Sequence, residues 1–231
     1  MSYPNVIYGD YGDEKVAQSA AIGNLPLGQL MILPDGRAYR HSQAGSAASL
    51  VAGQIVCPLA GSAGHGNVSG SGLIASATTT HNKAGDLDVY VATSLAAFTK
   101  DQFAGGFMNV LGPAASTYIG RIYKVKGNNS AASVGVGGAM KISLEPGDPL
   151  KHDLAAGSTR ISLRRNPFKD LQANIGSAMI APPVGVAPVA VSASFYCWVQ
   201  RRGVASVLQA ATVLIDGAPI VFQPTEAGSV A

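Results

Sequence analysis

Apolar and polar positions alternate along this chain in short runs broken by glycine and proline, the pattern of half-buried strands rather than helices. In Asp86-Leu-Asp-Val-Tyr-Val-Ala92, acid and apolar residues take turns, which predicts a strand with Leu87, Val89 and Val91 on one face and Asp86 and Asp88 on the other. Between Leu25 and Arg40, Pro34-Asp35-Gly36 separates two β-compatible runs. That tripeptide supplies a preset φ, an Asx turn and a residue tolerant of positive φ, so a hairpin is predicted there. Further strands are predicted at Ser49–Pro58, Leu73–Thr80, Phe107–Leu111, Tyr118–Lys126, Met140–Leu144, Thr159–Leu163 and Val189–Gln200. Gly203–Phe222 reads as two apolar strands joined by an Asp216-Gly217 turn. Turns recur every roughly 10 to 15 residues, as in sandwiches and barrels. Ala17–Ile22 and Phe168–Ile175 alone offer a short helical spacing. Proline-rich Ala181–Ala187 is expected to be extended without being a central strand. Tyr196 and Trp198 are read as facing opposite sides of their strand, one in the core and one at a boundary.

The predicted class is all-β: a β-sandwich or β-barrel body with an extended N-terminal arm. Residues 1–24 are polar and show no sustained period, and they carry Tyr3, Tyr8 and Tyr11. They read as an arm that orders against something else. Residues 25–231 form the body, with a division into two modules expected near 127–139. Gly61–Gly72 is low in complexity and reads as a surface loop.

Length allows a self-sufficient core, since 231 residues can bury most of their apolar surface without disulfides or metals. Charge changes the picture more. Charged residues are 13% of the chain and the net charge is +3, against about 25% charged residues in ordinary soluble domains. That balance excludes a highly charged disordered chain and argues against a nucleic-acid binder. No apolar run approaches the ~20 residues needed to span a bilayer, so no membrane partner is expected. Solubility normally leans on interspersed charge, so partners are expected to cover much of this surface. Cys57 and Cys197 sit in apolar stretches and read as small buried hydrophobes in a reducing compartment. Met1–Lys15 carries Asp10, Asp13 and Glu14 and lacks the layout of a secretory signal, so synthesis in a cytoplasm is expected.

Little of the sequence suggests catalysis or cofactors. His41, His65, His81 and His152 are too far apart for one element to present two metal ligands. Gly70-Ser71-Gly72 superficially matches a nucleophile turn, yet no predicted helix follows it. The Gly-rich stretches Gly61–Gly72 and Gly135–Gly138 lack a phosphate-binding Lys-Ser/Thr. Asp86 and Asp88 would serve as a glycosidase pair only with a second element opposite them, and a solvated strand edge is the plainer reading. Basic residues concentrate at Arg160, Arg164, Arg165 and Lys169, and again at Arg201 and Arg202. Aromatics are sparse there, so an interface to an acidic protein surface fits better than a nucleic-acid groove, with scattered solvated charge as the alternative.

Several stretches resemble a family of virion structural proteins of tailed bacteriophages: Ile142-Ser-Leu-Glu-Pro-Gly-Asp148, Asn166-Pro-Phe-Lys-Asp170, Pro183-Val-Gly-Val-Ala187 and Tyr196-Cys-Trp-Val-Gln-Arg-Arg-Gly203. Lys100-Asp-Gln-Phe-Ala-Gly-Gly106, Gly120-Arg-Ile-Tyr-Lys124 and Leu33-Pro-Asp-Gly-Arg-Ala-Tyr39 are similar to the same family. The ending, with Gly217-Ala-Pro-Ile-Val221, also resembles the small β-barrel of phage head decoration proteins. The resemblance implies a non-enzymatic building block on the outside of a capsid, with no catalytic residues to carry over. The expected function is therefore that of a capsid decoration or cement protein without cofactors, bound to the major capsid protein and to copies of itself, as a trimer. The alternative is a tail or host-attachment protein that binds glycan. Tyr3, Tyr8 and Tyr11 are the expected arm anchors, because aromatic side chains carry disproportionate interface energy. Arg164, Arg165, Arg201 and Arg202 are the expected basic contacts.

Overall fold

A computed structural model describes residues 4–47, 49–59, 82–92, 99–112, 119–130, 139–155, 159–174, 181–209 and 228–230. The chain is all-β. Its strands are β1 (Val6–Tyr8), β2 (Ala17–Gln18), β3 (Leu30–Ile32), β4 (Ala38–Gln43), β5 (Ile55–Pro58), β6 (Asp88–Ala92) and β7 (Phe107–Gly112). They continue with β8 (Ile122–Asn128), β9 (Ala139–Leu144), β10 (Arg160–Arg164), β11 (Leu171–Ala173), β12 (Gly185–Val186) and β13 (Tyr196–Arg202). Helix among the described residues is confined to 3₁₀ turns at Asp13–Lys15 and Ile22–Asn24. The two helical spacings read from sequence instead supply β2 and β11. Both stretches are too short to nucleate a helix alone, and pairing with neighbouring strands satisfies their backbone.

The chain divides into two units, residues 1–60 with 167–231 and residues 61–166. The boundary is therefore not near 127–139. That stretch leads from β8 to β9, which pair with each other within one unit.

In the first unit the strand order is β1-β3-β4-β13-β12-β5-β11, with β2 beside β13. Asp35 accepts the Arg37 N–H at 3.0 Å and Gly36 takes φ +82°, which closes the predicted β3–β4 hairpin. β13 is the spine. Its Cys197 and Val199 join Leu50, Val56, Leu171 and Val191 in one core, while Trp198 joins Met31, Leu33 and Tyr39 in another. Tyr196 and Trp198 share a face, contrary to the sequence reading, because positions two apart on a strand must. Both pack on His41, with ring centroids at 5.6 and 5.4 Å. Gly185–Val186 is a central strand after all, between β13 and β5. Glycine makes this possible: a Cβ at Gly185 would lie 2.2 Å from the Gln200 carbonyl oxygen.

Of the expected N-terminal arm, the described residues include two short strands that pair within this same sheet. β1 runs parallel to β3, β2 pairs with Tyr196 and Cys197, and Gln29 donates to the Pro4 carbonyl at 2.8 Å. Val6, Ile7 and Ala17 are partly buried there, which gives the segment its reason to dock.

The second unit holds the sheet β10-β7-β8-β9-β6, antiparallel throughout. Alternation sends Met108, Val110, Tyr123, Val125, Met140, Ile142, Leu144, Ile161, Leu163, Val89 and Val91 inward, where Phe103, Leu150 and Leu154 join them. Leu87 does not join them. It precedes β6 and stays 38% exposed.

Candidate functional site

Two described surfaces present apolar side chains to solvent, one on each unit. On the first unit, Gly9 donates to the Ile32 carbonyl at 3.1 Å, and the chain then leaves β3 and turns through Asp10 to Gly12. Gly12 adopts φ +111°, a conformation that favours glycine. The turn is pinned from within. Glu14 is 3% exposed, its Oε2 accepts the Gly12 N–H at 2.6 Å, and its Oε1 lies 3.8 Å from Arg37 Nη1. Arg37 also donates to Asp35 Oδ2 at 2.6 Å and to the Tyr39 hydroxyl at 2.9 Å. The Arg37 backbone N–H and then its guanidinium, both donating to Asp35, hold that carboxyl below its ordinary range, and the side-chain bond to Asp35 raises Arg37. With its inner side fixed, the turn projects Tyr8, 82% exposed, and Tyr11, 64% exposed. Val204 is exposed beside a groove of about 600 Å³ lined also by Asp35, Gly36, Arg37, Arg202 and Gly203.

On the second unit, the outward positions of the sheet form the other surface. β7 offers Phe107, Asn109 and Leu111, β8 offers Ile122, Lys124 and Lys126, and β10 offers Arg160, Ser162 and Arg164. A groove of about 590 Å³ runs over Phe107, Asn109, Leu111, Ile122, Ser162 and Arg164. Ile122 is 60% exposed, and Leu111, Ile119 and Phe107 are exposed too. The Lys124 ammonium lies 4.3 Å from the Phe107 ring centroid and donates to the Gly105 carbonyl. Burial lowers its pKa, while Glu145 pulls the other way.

The expected contact residues do not converge on one site. Tyr8, Tyr11 and Arg202 lie on the first unit near the β3–β4 hairpin. Arg201, at the irregularity in β13 between Gln200 and Arg202, stands 6.0 Å from the Phe168 ring, which Arg40 also approaches at 5.9 Å. Arg164 belongs to the groove of the second unit, and Arg165 after it is half-buried. Tyr3 lies outside the described residues. Sequence reasoning missed Phe107, Leu111 and Ile122 as surface residues. Their signal was apolar residues at positions of both parities in β7, which marks a strand with a second face to cover.

Several of the candidates for chemistry are buried or held in hydrogen bonds and ion pairs. His41 is fully buried, its Nδ1 is 3.3 Å from the Pro26 carbonyl, and burial lowers its pKa. Cys57 and Cys197 are free buried thiols; desolvation raises Cys57 and pushes Cys197 up to about 12. Asp88 accepts from Ser143 Oγ at 2.7 Å and pairs with Lys141 at 3.4 Å, while Asp86 accepts the Lys83 N–H in a turn. Among the described residues, no three His, Cys, Asp or Glu side chains gather as metal ligands. His65, His81, Gly70-Ser71-Gly72, Gly135–Gly138 and the Asp216-Gly217 turn lie outside the described residues. Compared with family models, curated proteins and solved structures, the chain matches none.

Proposed function

We propose that this chain is a non-enzymatic structural protein of a tailed-phage virion, a decoration or cement protein that stabilises the head shell from outside. The observation that carries the reading is the pairing of low charge with apolar side chains held outward on a fixed frame. Tyr8, Tyr11, Val204, Ile122 and Leu111 are all exposed in a chain with 13% charged residues. Large apolar side chains left exposed on a rigid frame mark each of these two surfaces as an interaction face. The resemblance of Tyr196–Gly203 and its companion stretches to phage virion proteins supplies the context.

The mechanism is stabilisation by burial. Pressure from packaged DNA pushes shell subunits apart, and a protein touching several of them adds its interface energy to the work of separation. Each apolar Å² removed from water contributes roughly 25 cal/mol before the costs of association. Contacts repeated through bound copies act together and raise avidity. Tyr8 and Tyr11 are the anchors toward a neighbouring molecule of the lattice, and Arg164 and Arg202 supply cations beside the two grooves.

The test is to band intact particles of the encoding phage and measure this protein against the shell subunit by quantitative mass spectrometry. Stoichiometric presence on emptied and filled heads is expected. A few copies per particle that fractionate with detached tails would replace the capsid reading with the tail or attachment reading. Complete absence from particles overturns both.

A further inference from the structure

We infer that the outer face of β10-β7-β8 is a contact surface for a second copy of this chain, and that the Tyr8–Asp13 turn of that copy seats on it. The inference deepens the proposed role by naming one neighbour, yet it concerns the purified chain and needs no particle.

Apolar exposure gives the first reason. Of the eleven large apolar side chains exposed among the described residues, six fall on these two surfaces: Tyr8 and Tyr11 on one, Phe107, Leu111, Ile119 and Ile122 on the other.

Charge gives the second. Residues 61–166 hold ten Lys and Arg against six Asp and Glu, a surplus of four, whereas the other unit holds six against seven. On the sheet face the excess is concentrated at Arg160, Arg164, Lys124 and Lys126, and its carboxylate Asp88 is taken by Lys141. The turn presents the opposite sign, with Asp10 and Asp13 exposed beside the tyrosines. None of Asp10, Asp13, Arg160, Arg164 and Lys126 has an ion-pair partner among the described residues.

The groove suits a tyrosine. Leu111 and Ile122 offer an apolar wall, and Asn109, whose Nδ2 donates to Ser162 Oγ at 3.2 Å, keeps an amide oxygen that can accept from a phenol. Aliphatic walls favour a protein side chain over a stacked base. Because turn and face are different patches, the contact is heterologous and builds rings or open chains rather than a two-fold dimer.

Sedimentation velocity of the full chain over a range of concentration and salt tests this directly. Reversible self-association that weakens with salt is expected. Arg160→Glu with Arg164→Glu, and separately Asp10→Lys with Asp13→Lys, should each weaken it at least tenfold. Mixing the two variants should restore it, since every turn then meets a face of opposite charge. Ile122→Ser should weaken association without altering the far-UV spectrum, which guards against misfolded charge variants. A chain that stays monomeric throughout, association indifferent to both reversals, or a mixture that fails to re-form overturns the inference.

Discussion

His41 shows how one buried side chain couples this fold to acidity. It is walled by Tyr196 and Trp198, and its Nε2 has no hydrogen-bond partner among the described residues. Burial therefore holds its folded-state pKa below the ordinary 6.5. As pH falls below 6.5, the unfolded chain takes up a proton that the folded chain refuses, so stability drops through the window down to the folded value. Above 6.5 the group contributes no slope. Urea midpoints between pH 8 and 5, roughly spanning that window, should fall with acid in the native chain and fall less in His41→Gln. The thiols make a simpler case. Cys57 and Cys197 are fully buried with raised pKa values, so neither forms the thiolate that reacts. A thiol reagent is expected to find no reactive cysteine in the folded protein and two in denaturant, where the burial of both is lost.

Strands were readable from sequence where one face was buried and the other wet. Phe107–Leu111, Met140–Leu144 and Thr159–Leu163 match β7, β9 and β10 to within a residue at either end, because alternation is the direct imprint of a pleated half-buried sheet. The misreadings share a cause as well. Val189–Gln200 begins as a strand only at Tyr196, since Ser194 at φ +65° forms a turn just before it. Gly185–Val186 was hidden because two residues carry no period, and its place depends on β5 pairing from far along the chain while β13 approaches closely on the other side. That approach yields a prediction: Gly185→Ala, at φ +152° and 2.2 Å from the Gln200 oxygen, should cost about 3 kcal/mol or more by urea denaturation. Asn128 plays a comparable part at the end of β8. Its Oδ1 accepts the Phe103 N–H at 2.9 Å, and its Nδ2 donates to the Thr99 and Asn129 carbonyls. Asn128→Ala strands a buried donor, and a loss of about 1–3 kcal/mol is expected in the same assay. The surface residues of the candidate site were less readable. Tyr8 and Tyr11 stood out by residue type, but the exposure of Phe107 and Ile122 depends on which parity the core claims.

At the scale of the molecule, residues 61–166 form a compact unit inserted between two stretches that complete one sheet only together. The insertion separates spectroscopic probes as well as cores. The only tryptophan, Trp198, sits in the first unit, so its emission reports that unit alone. Far-UV circular dichroism reports the strands of both. The first unit draws its core from both ends of the chain, whereas the second closes its sheet within 61–166 and has the shorter loops to close. If each core unfolds as its own cooperative block, urea curves followed by Trp198 emission and by far-UV dichroism will diverge, and residues 61–166 expressed alone will reproduce the part that tryptophan misses. Coincident curves, together with an excised fragment that shows no cooperative transition, would instead make the whole chain one folding unit.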